Sequence, residues 1–296
     1  MCEMKRRTFL SSCTVAAVGS GLLGARPAPA VLPEGKPFAH AKLRMSAPLD
    51  WFPGNRPEDK LEAVAAWGLP AYEWLWPVGD PNSLRAKADS LGLELSCMVG
   101  AGAIAEGWMV RPEDHDKTVE MFKQHLELAK KLNCKRLVGL TGNRRTDISD
   151  EEQTGYIIQC LKRLAPIAED NEVTIVMETL NALVDHEGFF LTRTDQAVAI
   201  MKEINSPNVK ILFDIYHQQI TEGNVIRNLR ENITHIGHFH VADNPGRQEP
   251  GTGELNYANI FNAIKETGYD GFVALECGHS TGNYEDTLNA TLKYLA

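Results

Sequence analysis

Four apolar runs in the C-terminal half of the chain each carry, at or near their end, a side chain able to bind a cation or move a proton. Residues 173–177 run into Glu178, residues 209–213 into Asp214, residues 235–241 contain His240, and residues 272–275 run into Glu276. A carboxylate placed after three or four apolar strand residues is costly to bury unless it is paired or metal-bound. One such residue reads as a surface strand end or a helix cap. Four in succession, at matching positions, are not explained as caps. Glu178, Asp214, His240 and Glu276 together supply three hard oxygen donors and one imidazole. That donor set suits Mn²⁺, Mg²⁺ or Co²⁺ better than structural Zn²⁺, which favours tetrahedral nitrogen and sulfur sites.

Four such ends can meet only if their runs are strands of one sheet that finish on the same side. Apolar, β-rich runs occur at residues 42–47, 71–76, 93–99, 136–140, 173–177, 209–213, 235–241 and 272–275. Several are apolar almost throughout, as expected of parallel strands covered on both faces. Between them lie helical patterns. In residues 113–132, Val119, Phe122, Leu126 and Ala129 recur at three- and four-residue steps. Residues 151–168 and 194–204 behave likewise, the latter opening on Thr194-Asp195 as a cap, and residues 257–267 end on Gly268, a natural helix stop. Eight such units in about 250 residues predict an α/β protein with a single (β/α)₈ TIM barrel. A doubly wound open sheet is the alternative, but no strand is followed by a GxGxxG or Walker loop. Active sites of TIM barrels gather at the carboxyl ends of the strands, where the four candidate ligands fall.

The chain has 296 residues, 43% hydrophobic and 23% charged, the balance of a globular protein. Thirty basic residues against 39 acidic ones give a net charge of −9, which disfavours a nucleic-acid or anionic-membrane binder. Residues 1–30 differ from the rest, with Lys5, Arg6, Arg7 and Arg26 against Glu3 alone. Lys5-Arg6-Arg7-Thr8-Phe9-Leu10 is a positive region ending in a twin arginine. The weakly apolar residues 15–25 follow, and Ala28-Pro29-Ala30 supplies small residues for cleavage. The expectation is a cleaved twin-arginine signal at residues 1–30, export to the periplasm, and a catalytic barrel at residues 31–296. No later segment reaches the roughly 18 apolar residues of a membrane helix, so no stable membrane insertion is expected after cleavage. Cys2 and Cys13 leave with the signal. Cys97, Cys134, Cys160 and Cys277 remain, too few for a disulfide scaffold and without a CxxC, and are expected as small buried hydrophobes.

Residues 237–247, Gly-His-Phe-His-Val-Ala-Asp-Asn-Pro-Gly-Arg, and residues 249–257, Glu-Pro-Gly-Thr-Gly-Glu-Leu-Asn-Tyr, resemble the hydroxypyruvate isomerase family. That family lies among the xylose-isomerase-like barrels, beside the ketose 3-epimerases. Gly268-Tyr269-Asp270-Gly271-Phe272-Val273-Ala274-Leu275-Glu276, Glu178-Thr179-Leu180-Asn181, Asp214-Ile215-Tyr216-His217 and, more weakly, Glu73-Trp74-Leu75-Trp76-Pro77 fit the same pattern. The resemblance spans residues 42–296. It implies that Glu178 and Glu276 are the paired catalytic glutamates, proton donor and acceptor, and that Asp214 and His240 complete the metal set. It places His217, His186 and Arg247 where substrate oxygens are held. The chain departs from the hydroxypyruvate isomerases at His240, where these often carry Gln and the ketose epimerases carry His.

The chemistry follows from these residue types. Interconverting an α-hydroxy carbonyl compound and its isomer requires removing a weakly acidic C–H proton and forming an enediolate. A divalent cation stabilises the negative oxygens, and two carboxylates take and return the proton. Arg247, in a Gly/Pro-rich loop, can grip a substrate carboxylate bidentately. His238 is expected to point the other way from His240, toward the helices, as a packing residue. Trp51, Trp74 and Trp76 are expected as rim packing or as an aromatic wall of the pocket. The substrate expected is a small hydroxy-carbonyl compound or sugar; a homo-oligomer, dimer or tetramer, is compatible with the chain. The leading reading is a metal-dependent isomerase of the hydroxypyruvate to tartronate semialdehyde type. The alternatives are a ketose 3-epimerase or 3-keto-sugar-acting enzyme of the same barrel, and a non-catalytic sugar-binding barrel. The second glutamate speaks against the last.

Overall fold

A computed structural model of the protein describes residues 33–105 and 107–295. The proposed signal, residues 1–30, lies outside the described residues. Nine strands build one all-parallel sheet: β1 (Arg44–Pro48), β2 (Ala71–Glu73), β3 (Glu94–Leu95), β4 (Met98–Ala101), β5 (Arg136–Gly139), β6 (Thr174–Glu178), β7 (Val209–Asp214), β8 (Ile236–Val241) and β9 (Phe272–Leu275). Their order is β3-β2-β1-β9-β8-β7-β6-β5-β4. The two ends of this order, β3 and β4, are consecutive in the chain and separated only by Ser96 and Cys97. The single third run expected from sequence is therefore broken in two, β3 pairing with β2 and β4 with β5. Hydrogen bonds from Ser96 N to Tyr72 O (2.8 Å) and Val99 N to Leu75 O (2.9 Å) carry the ladder across the break. The result is a nearly closed TIM barrel.

Helices follow the strands: α1 (Pro57–Ala66), α2 (Pro81–Leu91), α3 (His115–Leu132), α4 (Asp150–Asp170), α5 (Thr194–Ile204), α6 (Ile215–Thr221), α7 (Val225–Asn232), α8 (Tyr257–Glu266) and α9 (Tyr284–Leu292). On α3 the buried stripe is Thr118, Phe122, Leu126 and Ala129, with Val119 only half-buried. On α4, Ser149 caps the helix by accepting from Glu152 N at 3.1 Å. On α5 the expected Thr194 cap is corrected: its hydroxyl donates instead to Gln218 Oε1 (3.2 Å), and Arg193 occupies the cap position. Helix α8 ends before Gly268, whose φ of 74° lies in the left-handed region that favours glycine.

Strand alternation decides which side chains reach the barrel interior. Leu212 pairs in register with His238, Phe213 with Phe239, and Asp214 with His240. Phe213 and Phe239 pack edge to face at 5.8 Å, and Phe239 meets Tyr269 at 4.9 Å on the outer layer. Ile211, Leu212 and Phe213 are wholly buried, each worth about 1.5–3 kcal/mol by transfer. Asp214 and His240 therefore face inward at the carboxyl end of a rigid sheet. Cys97, Cys134 and Cys160 are buried free thiols and Cys277 is half-buried.

Candidate active site

The ends of β6, β7, β8 and β9 bring Glu178, Asp214, His240 and Glu276 together, with one ligand atom from each lying within 4.8 Å of the others. His240 Nδ1 stands 3.6 Å from Glu178 Oε1 and 3.4 Å from Glu276 Oε2. Asp214 Oδ1 accepts from His217 N at 3.0 Å and so starts α6. Its Oδ2 is buried without a hydrogen bond, as are both ring nitrogens of His240. Buried polar atoms seldom go unpaired, and here the unpaired atoms belong to neighbouring strands whose residues 214 and 240 stand in register.

The charge balance fits a cation. Among the described residues, the carboxylates of the cluster are met by the guanidinium of Arg247, which lies against Asp214 and Glu276. Burial raises the pKa of Glu178 and pushes Asp214 up to about 6. Burial also opposes ionisation of Glu276, but His240 and Arg247 outweigh it and hold that carboxyl well below the usual range. For His240, burial is outweighed by Glu73 and Glu276, which raise its pKa well above the ordinary value. Three carboxylates and one imidazole nitrogen, clustered and partly orphaned, match the preference of Mn²⁺, Mg²⁺ or Co²⁺ for oxygen-rich sites.

The residues expected to hold substrate lie on one flank of this cluster. Arg247 Nη2 bonds Glu276 Oε2 at 2.5 Å and stands 3.9 Å from Asp214 Oδ2. Its loop is braced by Asp243, whose carboxylate accepts from Asn244 N (2.9 Å), Gly251 N (2.8 Å) and Leu255 N (3.1 Å). A Cβ on Gly253 would come within 2.2 Å of Asn244 O, so only glycine permits that close approach. His217 is fully buried, and Asn181 Nδ2 donates to its Nδ1 at 2.6 Å. The ring hydrogen then sits on Nε2, which has no hydrogen-bond partner and lies 3.7 Å from Asp214 Oδ2. Burial, reinforced by Arg247, pushes the His217 pKa down to about 4. His186 is half-buried and stacks at 5.3 Å against His217.

A cavity of about 240 Å³ opens on the cluster. Glu178, His186, Arg247 and Glu276 form one side, and Leu75, Trp76, Val99, Ile104, Val138, Leu140 and Leu180 the other. Of the three tryptophans, Trp76 lines this cavity and is largely exposed. Trp74 is buried and donates to Asp50 Oδ2 at 3.1 Å, and Trp51 packs on His279 at 4.5 Å; both are rim packing. A larger hollow of about 480 Å³ beside α5 lies away from the strand ends, and there Arg193 pairs with Asp195 (3.0 Å) and Glu222 (3.6 Å).

The orientation expected for His238 is corrected. Residues two apart on a strand share a face, so His238 points into the barrel with His240. Its Nε2 bonds Glu73 Oε2 at 2.8 Å, and His240 Nε2 stands 2.9 Å from Glu73 Oε1. The sequence reading left Glu73 without a role, although it too is a carboxylate closing a short apolar strand. Asn181, at the end of the Glu178-Thr179-Leu180-Asn181 stretch, orients His217 and carries no sequence signal of that role.

The sequence pattern of the family described as "Xylose isomerase-like TIM barrel" matches residues 61–296. The chain is 33% identical to the 2-oxo-tetronate isomerase of Cupriavidus necator, over 74% of this chain and 85% of that one. It is 35% identical to the hydroxypyruvate isomerase of Escherichia coli, over 50% of this chain and 55% of that one. Its fold superposes on the crystal structure of an AP endonuclease, family 2, from Brucella melitensis with a TM-score of 0.74. That match has 24% identity and covers 86% of this chain and 100% of the other.

Proposed function

From the premise that the chain belongs to the xylose isomerase-like TIM barrel family and is an isomerase, we propose that it interconverts an α-hydroxy aldehyde and its ketone isomer. The substrate class is a small hydroxy acid, of the hydroxypyruvate to tartronate semialdehyde type. The observation that carries this reading is the convergence of Glu178, Asp214, His240 and Glu276, with Asp214 Oδ2 and His240 Nδ1 left unpaired. These four residues would hold a divalent cation, which supplies Lewis-acid stabilisation of negative charge on oxygen.

The chain's own groups account for the rest. Glu178, whose pKa burial raises above the ordinary carboxylate value, takes the proton from the hydroxyl-bearing carbon. One of the two glutamates that flank the cavity, Glu178 carrying the proton it took or Glu276, returns a proton to the neighbouring carbon. His217 Nε2–H donates to a substrate oxygen, with His186 beside it. Arg247, held by Glu276, grips the carboxylate end. The apolar wall around Leu75, Val138 and Leu140 keeps water from the enediolate.

A ketose 3-epimerase is the second reading. His240 in place of Gln favours it, as does a 240 Å³ cavity that leaves room beside a three-carbon acid for a longer chain. The test is a screen of hydroxypyruvate, tartronate semialdehyde and free ketoses with added Mn²⁺ in deuterated water. Conversion of hydroxypyruvate with solvent deuterium in the product supports the first reading. Turnover of ketoses alone selects the second, and no turnover of any refutes both.

Residues 1–30 fit a twin-arginine signal that delivers the enzyme to the periplasm. The support is Arg6-Arg7, the weakly apolar residues 15–25, and Ala28-Pro29-Ala30. Export that persists unaltered after Arg6→Lys and Arg7→Lys would exclude that route.

A further inference from the structure

Beneath the candidate metal ligands lies a buried group that the proposed chemistry does not use. Glu73, at the end of β2, is 2% exposed. Strand β2 is not a neighbour of β8; β1 and β9 stand between them. Glu73 therefore meets His238 and His240 across the barrel interior. Oε2 accepts from His238 Nε2 (2.8 Å) and from Ser96 Oγ (3.1 Å), while Oε1 stands 2.9 Å from His240 Nε2, an ion-pair contact that is not aligned as a hydrogen bond. On the far edge of the same His240 ring, Nδ1 faces Glu178 and Glu276.

An imidazole offers a lone pair for ligation on one nitrogen only when its hydrogen sits on the other. A carboxylate has no hydrogen to give, so Nε2 of His240 must carry the hydrogen if it is to be satisfied there. Nδ1 is then left as the acceptor, directed at Glu178 and Glu276. Carboxylate–histidine pairs of this kind fix the tautomer and ring orientation of metal-binding histidines.

We propose that Glu73 is a positioning residue that locks His240 into the Nε2–H tautomer and aims its Nδ1 lone pair at the cation site. This rests on the reading of His240 as a ligand. Ser96 and His238 hold the carboxylate in place, and His238 makes the arrangement sensitive to Glu73→Gln. Glutamine has a single acceptor oxygen, yet two histidine nitrogens face residue 73. An amide that accepts from His238 turns its NH₂ toward His240, and the hydrogen of His240 then moves to Nδ1, where it blocks ligation.

The test is Mn²⁺ affinity of the full chain, by chelator competition, for wild type, Glu73→Gln, His240→Gln and the double variant. Glu73→Gln should weaken Mn²⁺ binding by roughly 10- to 100-fold, the usual effect of losing such a partner. The double variant should bind no more weakly than His240→Gln alone, because Glu73 acts through His240. A wild type that does not bind Mn²⁺ overturns the ligand reading itself. A wild type that binds, with unchanged affinity in Glu73→Gln or additive losses in the double variant, overturns the role of Glu73 alone. Should Glu73→Gln fail to fold, nitrogen NMR of labelled histidines in the Mg²⁺-loaded wild type decides: hydrogen on His240 Nε2 supports the proposal, and hydrogen on Nδ1 refutes it.

Discussion

Glu178 and Glu276 approach the same nitrogen of His240, at 3.6 and 3.4 Å, from neighbouring regions of the barrel rim, yet their surroundings drive their carboxyls in opposite directions. Glu276 is gripped by Arg247 and stays ionised, whereas burial dominates at Glu178 and raises its pKa. Titratable groups pushed apart in this way are the pattern of acid and base roles.

The first expected outcome concerns that pair. Glu178→Gln and Glu276→Gln, each assayed at saturating Mn²⁺, should slow exchange of the substrate α-proton with solvent by about 10²–10⁴-fold. Deuterium incorporation followed by NMR is the measurement. Exchange at the wild-type rate in both variants would mean that neither carboxylate moves the proton.

Chelation should abolish turnover, and Mn²⁺ or Mg²⁺ should restore it. The unpaired Asp214 Oδ2 and His240 Nδ1 also predict a stability effect. A ligand present at a hundred times its dissociation constant stabilises the folded state by about 2.7 kcal/mol. Thermal unfolding should therefore shift upward by several degrees on adding Mn²⁺, and Asp214→Asn should reduce the shift. Full activity of protein shown by elemental analysis to be metal-free would sink the idea.

Much of this architecture was legible because barrel strands announce themselves as apolar runs, and a polar residue at the end of one is conspicuous. The sequence reading anticipated the runs that form β5 to β9 to within a few residues, and Glu178, Asp214, His240 and Glu276 do converge. The break at Ser96-Cys97 was hidden because a strand that changes partner keeps its apolar pattern. Glu73 was hidden for another reason: its partners, His238 and His240, are 165 and 167 positions away, and only barrel closure brings them together. His238 was misplaced by the alternation argument itself, since residues 238 and 240 share a face. Asn181 gave no signal of its own, because an amide in a loop reads as a turn residue.

Arg247 gives a prediction that separates acid substrates from neutral sugars. Its guanidinium sits at the cavity edge against Glu276. Arg247→Met should raise KM for hydroxypyruvate by roughly 10- to 100-fold, the worth of a charge-assisted hydrogen bond. KM for a neutral ketose should change much less. Equal losses on both substrates would mean that Arg247 serves Glu276 rather than the substrate.

The buried His217 predicts a pH dependence of stability. Its pKa in the folded protein is lowered to about 4, first by burial and then by Arg247, against about 6.5 in an unfolded chain. Above pH 6.5 the ring is neutral in both states and contributes no slope. Between pH 6.5 and 4 the unfolded chain binds a proton that the folded protein refuses, so stability falls as the pH falls. The full loss, of roughly 3 kcal/mol, is complete only below the folded pKa. In His217→Gln that loss is absent. Urea unfolding of the chelator-treated proteins should therefore show wild type losing stability relative to the variant from pH 7 to pH 4, with their free energies running parallel above pH 7. Parallel curves across the whole range would show that burial does not keep His217 from taking up a proton.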